Sequence, residues 1–151
     1  MTQSNQVMKV RNAVIIDIPQ LTAIEWESFT EPWTYSTLVS ELENEANHFQ
    51  VADIGFVVTG YCILRKNSDD CEILRMAVDR SQRRTGIADA LMTSMFNYAK
   101  SEGLKNMFLE VRCSNEAAIA LYEKHGFKVI STRDKYYTKP VEDAFVMACK
   151  L

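Results

Sequence analysis

Residues 83–88 combine a basic pair with small residues at a place where a ligand could bind. They follow an apolar run ending Met76-Ala77-Val78 and precede a helix-like pattern. The first turn of a helix presents unpaired N–H groups and partial positive charge, so it can hold a diphosphate. A glycine and an alanine allow close backbone approach. The alternative is a solvated basic turn, since such a short motif recurs by chance. The segment reads Arg83, Arg84, Thr85, Gly86, Ile87 and Ala88.

Glu110 is a second candidate for chemistry because it interrupts the otherwise apolar run Met107–Val111. A central parallel strand is normally apolar on both faces, and burying a lone carboxylate is costly. Two explanations stay open from the residues alone. Glu110 pairs structurally with Arg112 or another basic side chain, or it faces a cleft and takes up a proton.

The elements that must position these residues follow from periodicity and punctuation by glycine and proline. A strand-helix-strand unit over residues 72–111 predicts a parallel, right-handed crossover, and the remaining hairpins predict antiparallel pairing. We therefore expect a mixed-sheet α/β fold, one domain over residues 1–151. The predicted strands are 13–16, 49–53, 56–64, 72–78, 107–111, 127–132 and 144–149; the predicted helices begin at Pro19, Thr34, Ile87 and Asn115.

Composition narrows the function classes. A net charge of −3 gives no basic field for nucleic acid, and no apolar stretch is long enough to span a bilayer. The polar start Met1–Gln6 does not resemble a signal peptide. The four cysteines form no C-x-x-C pair and have no histidine at ligand spacing, so we expect no metal, and reduced thiols in the cytoplasm.

The segment 83–88 resembles the Q/R-x-x-G-x-G/A signature that the GNAT superfamily of acetyltransferases places between a strand and a helix. A longer run, residues 109–123 followed by Gly126-Phe127, resembles the bacterial ribosomal-protein-alanine N-acetyltransferase subfamily. Glu31-Pro32-Trp33-Thr34 is similar to the substrate-side loop of that subfamily, and Tyr136-Tyr137 to its C-terminal hairpin. The resemblance implies a GNAT-type fold and acetyl-coenzyme A as cosubstrate.

The resemblance also implies contacts with that cosubstrate. The backbone of Met76, Ala77 and Val78 would line the pantetheine arm, the segment from Arg83 to Asp89 would surround the phosphates, and Asn115 would lie near the thioester. One position departs from the family, because Asp89 stands where relatives often have a basic residue. An acidic side chain beside a diphosphate opposes binding, so Asp89 should point away or the affinity should be modest.

Glu110 and Tyr122 occupy the family positions of the base and the acid. Only a neutral amine attacks a thioester, and a peptide amino terminus has a pKa of about 7.7–8.0, so a base is needed. Tyr122 would protonate the departing thiolate, although a tyrosine at such a place is otherwise simply a packed core residue. Direct attack without an acyl-enzyme is implied, which leaves Cys71 and Cys113 as small buried fillers.

The acceptor amine is expected between two aromatic segments, Pro32-Trp33 and Tyr136-Tyr137, which either clamp a peptide or are ordinary loop packing. Asp69, Asp70 and Glu72 attract a cationic amine or form a solvated turn and strand end. His48 and His125 have no supporting constellation, and His125 is expected to end a helix.

The subfamily implies the N-terminal alanine of a small-subunit ribosomal protein as acceptor. Two alternatives remain: a GNAT enzyme for a lysine side chain or a small amine, and a sensor that binds acyl-coenzyme A without turnover.

Overall fold

The computed structural model describes residues 7–151, so the expectation for Met1–Gln6 lies outside the described part. Within residues 7–151 no helix has the length and apolar character needed to cross a membrane. The helices are α1 (Ile18–Ser28), α2 (Tyr35–Glu43), α3 (Ile87–Ser101) and α4 (Glu116–Lys124), with short 3₁₀ turns at Ile15–Asp17 and Arg80–Gln82. The strands are β1 (Met8–Asn12), β2 (Asn47–Ile54), β3 (Val57–Asn67), β4 (Asp70–Val78), β5 (Asn106–Arg112), β6 (Lys128–Thr138) and β7 (Val141–Lys150).

The strands form one mixed sheet in the order β1-β2-β3-β4-β5-β7-β6, which confirms the predicted fold class. β4 and β5 pair in parallel, as the crossover through α3 requires, and the other neighbouring strands pair antiparallel. Alternate residues of β3 serve two apolar cores. Cys62 and Leu64 pack in the core with α3 and α4, whereas Tyr61 and Ile63 pack in the core with α1 and α2.

A β-bulge bends β4 in the middle of the sheet. Ile73 is paired with Leu64 and Arg75 with Ile63, so Leu74 is an extra residue in the ladder with β3. Bulges bend the strand that contains them. On its other edge β4 pairs with β5 only from Asp70 to Glu72, and the two strands separate beyond that point. The separation leaves a cleft in the sheet.

The predicted strand at 13–16 is wrong. The first strand is β1, which lies earlier in the chain, and residues 15–17 form a 3₁₀ turn that leads into α1. The Asp17 carboxylate accepts the N–H of Val14 at 2.8 Å and pairs with both terminal nitrogens of Arg11 at 2.8 Å. This cap outweighs the β-propensity of Val14 and the two isoleucines that follow it.

Each predicted helix start lies within one residue of the observed one, and local signals explain three of them. Pro19 lies in the first turn of α1. The Thr34 hydroxyl accepts the N–H of Thr37 and the Asn115 side chain accepts the N–H of Ala118, so both cap their helices. The last two strands, by contrast, extend well beyond the predicted segments and form a long hairpin.

Asp17 provides a test of the β1–α1 junction. Burial opposes its charge, but hydrogen bonds from Arg11 and the Val14 N–H, with the Arg11 charge, hold the pKa of Asp17 below its ordinary 3.8. We expect Asp17→Asn to lower the free energy of unfolding by about 2 kcal/mol at pH 7. The lowered pKa means that this stabilisation is complete above pH 3.8 and is lost as the pH falls further.

Urea unfolding of both proteins from pH 7 down to pH 3 measures the difference. The matched control is Asp69→Asn, because Asp69 and its partner Lys105 are each 71% exposed. That change should cost no more than about 0.5 kcal/mol. Equal losses in the two variants would contradict the assigned role of Asp17.

Candidate active site

The cleft between β4 and β5 has a volume of about 820 Å³ and is open to solvent along one side. One wall is the second half of β4 with the loop that follows it, and the other is the end of β5 with α4. The C-cap of α1 and the residues after it close one end. Of the predicted site residues, Met76, Ala77, Val78, Arg83, Arg84, Gly86, Ile87, Ala88, Asp89, Glu110, Asn115, Tyr122 and Tyr137 line this cleft.

The end of β4 presents backbone to the cleft. Met76, Ala77 and Val78 are bonded to β3 on one edge, through Cys62, Tyr61 and Gly60. Their other edge lies beyond the last pair with β5, where an extended ligand can add along it. The backbone groups on this edge are therefore available to a ligand in the cleft.

Gly60 sets how closely β3 approaches this wall. A Cβ at Gly60 would lie 3.0 Å from the carbonyl oxygen of Ala77 and 3.2 Å from a methyl group of Ile87. The absence of a side chain at Gly60 therefore allows both the end of β4 and the first residue of α3 to pack closely against β3. The prediction missed Gly60, although a glycine inside a strand pattern is the signal for such an approach.

The loop from Asp79 to Gly86 connects β4 to α3 and places the first turn of α3 beside the cleft. The Asp79 carboxylate accepts the N–H of Ser81 at 3.0 Å and starts the 3₁₀ turn. Gly86 has a φ of +87° and a Cβ there would have no atom within 4 Å, so the glycine is required for its backbone angle and not for space. α3 begins directly afterwards, and its first N–H groups have no earlier turn to bond to.

The loop contributes two basic residues to the lining of the cleft. Arg83 and Arg84 both line the cleft, and Arg83 Nε also donates to the Val78 carbonyl at 3.4 Å. Thr85 is outside the lining, and its hydroxyl donates to the Gln82 carbonyl within the loop. The loop thus presents two guanidinium groups beside the start of α3.

The Asp89 carboxylate forms ion pairs and hydrogen bonds with side chains at the end of α4. Its Oδ1 lies 2.8 Å from His125 Nε2 and 3.0 Å from Lys124 Nζ. The hydrogen bonds from His125 and then from Lys124 hold the pKa of Asp89 below its ordinary value. The expectation that His125 lacks a supporting constellation is wrong, although His125 does end α4 as expected. Residues 36 positions apart in sequence leave no local signal for this contact.

Glu110 is paired with a basic side chain and also faces the cleft, while its predicted uptake of a proton stays a prediction. Its side chain lines the cleft and is 25% exposed. Arg133 Nε lies 3.2 Å from one carboxylate oxygen, and the Tyr136 hydroxyl donates to the other at 3.3 Å. Arg112 is not the partner, because it pairs with Glu142 at 3.3 Å. Glu110 is therefore a hydrogen-bonded carboxylate that still faces the cleft.

Two tyrosines lie on the α4 side of the cleft. Tyr122 is 8% exposed, and its ring packs edge-on against Phe127 with centroids 5.8 Å apart. Burial raises the pKa of Tyr122 above its ordinary value. Burial also raises the pKa of Tyr137 to about 12, and the Arg112 guanidinium lies 4.1 Å from the centre of that ring. Both phenols therefore keep their protons at neutral pH.

The segment 29–33 and the β6–β7 hairpin meet beside the cleft, away from the first turn of α3. The Thr30 hydroxyl donates to the Lys139 carbonyl at 2.6 Å, and the Thr138 hydroxyl donates to Glu31 Oε1 at 3.3 Å. The lining residues from this segment are Glu31, which belongs to the predicted substrate-side loop, and Phe29 and Thr30, which the sequence did not single out. The predicted residues Pro32, Trp33 and Tyr136 do not line the cleft.

Several further candidates have ordinary surroundings. Asp69 is paired with Lys105 at 3.4 Å in solvent, which agrees with a solvated turn. Cys71 is buried as expected, and burial raises its pKa to about 11; Cys113 is only half-buried, and partial desolvation with Asp143 and Glu142 raises its pKa. Neither thiol is set up as a nucleophile. Within residues 7–151 no group of three or more His, Cys, Asp or Glu side chains has the arrangement of a metal site.

Comparison with known proteins identifies the fold and the family. The acetyltransferase (GNAT) family model matches residues 18–127. A crystal structure of the ribosomal-protein-S18-alanine N-acetyltransferase from Escherichia coli superposes with a TM-score of 0.88 at 29% identity, covering 95% of this chain and 94% of that one.

Two sequence relatives span nearly the whole chain. The ribosomal protein bS18-alanine N-acetyltransferase of Escherichia coli K12 is 34% identical over 134 residues, which are 87% of this chain and 90% of the relative. A Bacillus subtilis protein provisionally assigned the same activity is 35% identical over 139 residues, 91% of this chain and 92% of the relative. The cleft, the loop that opens α3 and these matches agree: this chain belongs to the GNAT family of acetyltransferases.

Proposed function

We propose that this chain is a cytoplasmic, acetyl-coenzyme A-dependent enzyme that acetylates the N-terminal alanine of a small-subunit ribosomal protein. The supporting observation is that one cleft is lined both by the α3 phosphate loop and by Glu110 and Tyr122. Relatives with 34% identity over almost the full length are named for this reaction on ribosomal protein bS18. The acceptor follows from that relationship.

The residues of the cleft fit the proposed cosubstrate. The first turn of α3, with Arg83 and Arg84, would hold the diphosphate by N–H groups and charge. The free edge of β4 would bond the pantetheine amides, and Asn115 lines the cleft at the start of α4. The bound cosubstrate supplies the acetyl thioester that the amine attacks.

Glu110 would act as the general base. It removes a proton from the acceptor ammonium, directly or through a water molecule, and so produces the neutral amine. The amine nitrogen then forms a bond to the acetyl carbon and releases its second proton to water, and the carbon–sulfur bond breaks. Arg133 and Tyr136 hold the two oxygens of Glu110 and orient the carboxylate.

Tyr122 would act as the acid. Its raised pKa keeps the phenol protonated at neutral pH, which is the state that an acid requires. It donates that proton to the departing sulfur, and the thiol leaves. Because the amine attacks directly, no cysteine takes part.

The acceptor terminus would enter at the end of the cleft where segment 29–33 meets the β6–β7 hairpin. Tyr137 faces this space from the hairpin, and Glu31 faces it from the segment. Next to these residues in the chain are Pro32, Trp33 and Tyr136, which would support a peptide bound between the two segments. The carboxylates of Glu31 and Glu110 favour a positively charged amine terminus.

A panel of acceptors tests the proposed function. We expect thiol release from acetyl-coenzyme A with a peptide that begins with alanine and copies the N-terminus of bS18. The same peptide with a blocked N-terminus and a free lysine, and a set of small amines, should give much slower release. Preference for lysine or for a small amine would replace the acceptor assignment, and binding without thiol release from any acceptor would favour a sensor.

Glu110→Gln tests the base. We expect turnover to fall by about 10² or more at pH 7, because the amide cannot take up the proton, while the Kd for acetyl-coenzyme A stays unchanged. Tyr122→Phe should lower turnover less, since water can protonate the thiolate. The matched control is Glu102→Gln, an exposed carboxylate paired with Lys66. Full turnover in Glu110→Gln would remove Glu110 from the mechanism.

The ion pair between Lys124 and Asp89 leads to a prediction for the affinity for acetyl-coenzyme A, which a double mutant tests. Lys124→Met leaves the Asp89 charge less well neutralised beside the first turn of α3, so the affinity for acetyl-coenzyme A should fall about threefold. Adding Asp89→Asn removes that charge and should return the affinity to within about twofold of wild type.

Isothermal titration measures each Kd, with Lys105→Met as the control because Lys105 is paired at the far end of β5. An undiminished affinity in Lys124→Met would mean that Asp89 does not sense the phosphates.

A further inference from the structure

Glu25 is a fully buried carboxylate beside the acceptor end of the cleft. It lies on α1 with no exposed surface. Arg75 holds both of its oxygens, with Nε to Oε1 at 2.9 Å and Nη2 to Oε2 at 2.8 Å, and the Tyr61 hydroxyl donates to Oε1 at 2.7 Å. Such a two-point bond fixes the plane of the guanidinium as well as its position.

The guanidinium of Arg75 in turn holds segment 29–33. Its central carbon lies 3.6 Å from the ring centre of Phe29 and 4.6 Å from that of Trp33. Nη2 also donates to the Glu31 carbonyl at 3.3 Å. Stacking on two rings with a bond to the backbone between them needs a flat group that donates in its own plane, which arginine supplies and lysine does not.

Segment 29–33 contains no helix or strand, so its conformation depends on side-chain contacts. It lines the cleft through Phe29, Thr30 and Glu31, and Arg75 lines the same space. The bulge at Leu74 immediately precedes Arg75 and sets where the strand directs this side chain. The Arg75 guanidinium thus connects the bend of β4 to segment 29–33, which lines one end of the cleft.

We propose that Arg75, clamped by Glu25, is the positioning residue of the acceptor subsite: it holds segment 29–33 in the shape that binds the acceptor's amino terminus. Arg75 acts through the segment and takes no part in bond making or breaking. The inference rests on the proposed function only for the identity of the acceptor, since the contacts themselves do not depend on it.

Arg75→Lys is the test, because lysine keeps a positive charge for Glu25 but loses the planar contacts. We expect the KM for the alanine-starting peptide to rise about tenfold, with kcat within about threefold and an unchanged Kd for acetyl-coenzyme A. Arg65→Lys is the matched control. Arg65 is paired with Glu41 of α2 from the neighbouring strand, and neither residue lines the cleft. It should leave all three constants unchanged.

A second readout follows the segment without any turnover. Trp26 is 78% exposed, so Trp26→Phe leaves Trp33 as the single tryptophan at little structural cost. In that background Arg75→Lys should increase quenching of Trp33 fluorescence by acrylamide, whereas Arg65→Lys should not. If Arg75→Lys unfolds, Glu25→Gln releases the same clamp and should give the same two changes.

An unchanged peptide KM together with unchanged Trp33 quenching overturns the proposal, as does a loss confined to kcat or to cofactor affinity. Failure of the proposed function has a different signature, namely that wild-type enzyme prefers another amine. The KM comparison is then made with that amine, and the quenching result stands as measured.

Discussion

The brevity of the parallel ladder between β4 and β5 is the constraint on which the rest of the site depends. Three residue pairs join the strands, and beyond Glu72 and Phe108 they separate. The extra residue Leu74 bends β4 at the start of that separation, while β5 stays bonded along its whole length to β7. A sheet continuous at this point would satisfy the backbone of both strands internally and leave no place for a ligand.

Paired charges lie at both ends of the cleft that this separation leaves in the sheet. At the end formed by segment 29–33, Arg75 contacts a carboxylate with no exposed surface, so removing either partner would leave a buried charge alone. At the end formed by the start of α3, Lys124 is 65% exposed, and its bond to Asp89 contributes little to stability. The first pair therefore determines shape, and the second mainly adjusts the local charge.

Much of the fold could be predicted from the sequence, and the failures have a common physical cause. The side chains of Thr34 and Asn115 cap their helices by bonding to an N–H three residues later, so the local sequence predicts both helix starts. The first strand was misplaced because the Asp17 cap depends on Arg11 reaching it from β1. The bulge at Leu74 and the contact of His125 with Asp89 also depend on distant partners, which periodicity does not report.

The run from Glu110 to Tyr122 was predicted well because its geometry is set almost entirely by short-range contacts. β5 ends at Arg112, and the Asn115 cap turns the chain into α4, which returns Tyr122 to the cleft. The start of β7 also holds the turn: the Asp143 carbonyl accepts the N–H of Cys113 at 3.1 Å, and the Glu142 carboxylate accepts that of Ser114 at 2.7 Å. A strand end, a capped helix and these two hydrogen bonds therefore bring a carboxylate and a phenol into one cleft. Segment 29–33 has no such local signal, because the guanidinium that it contacts belongs to an arginine more than forty residues away.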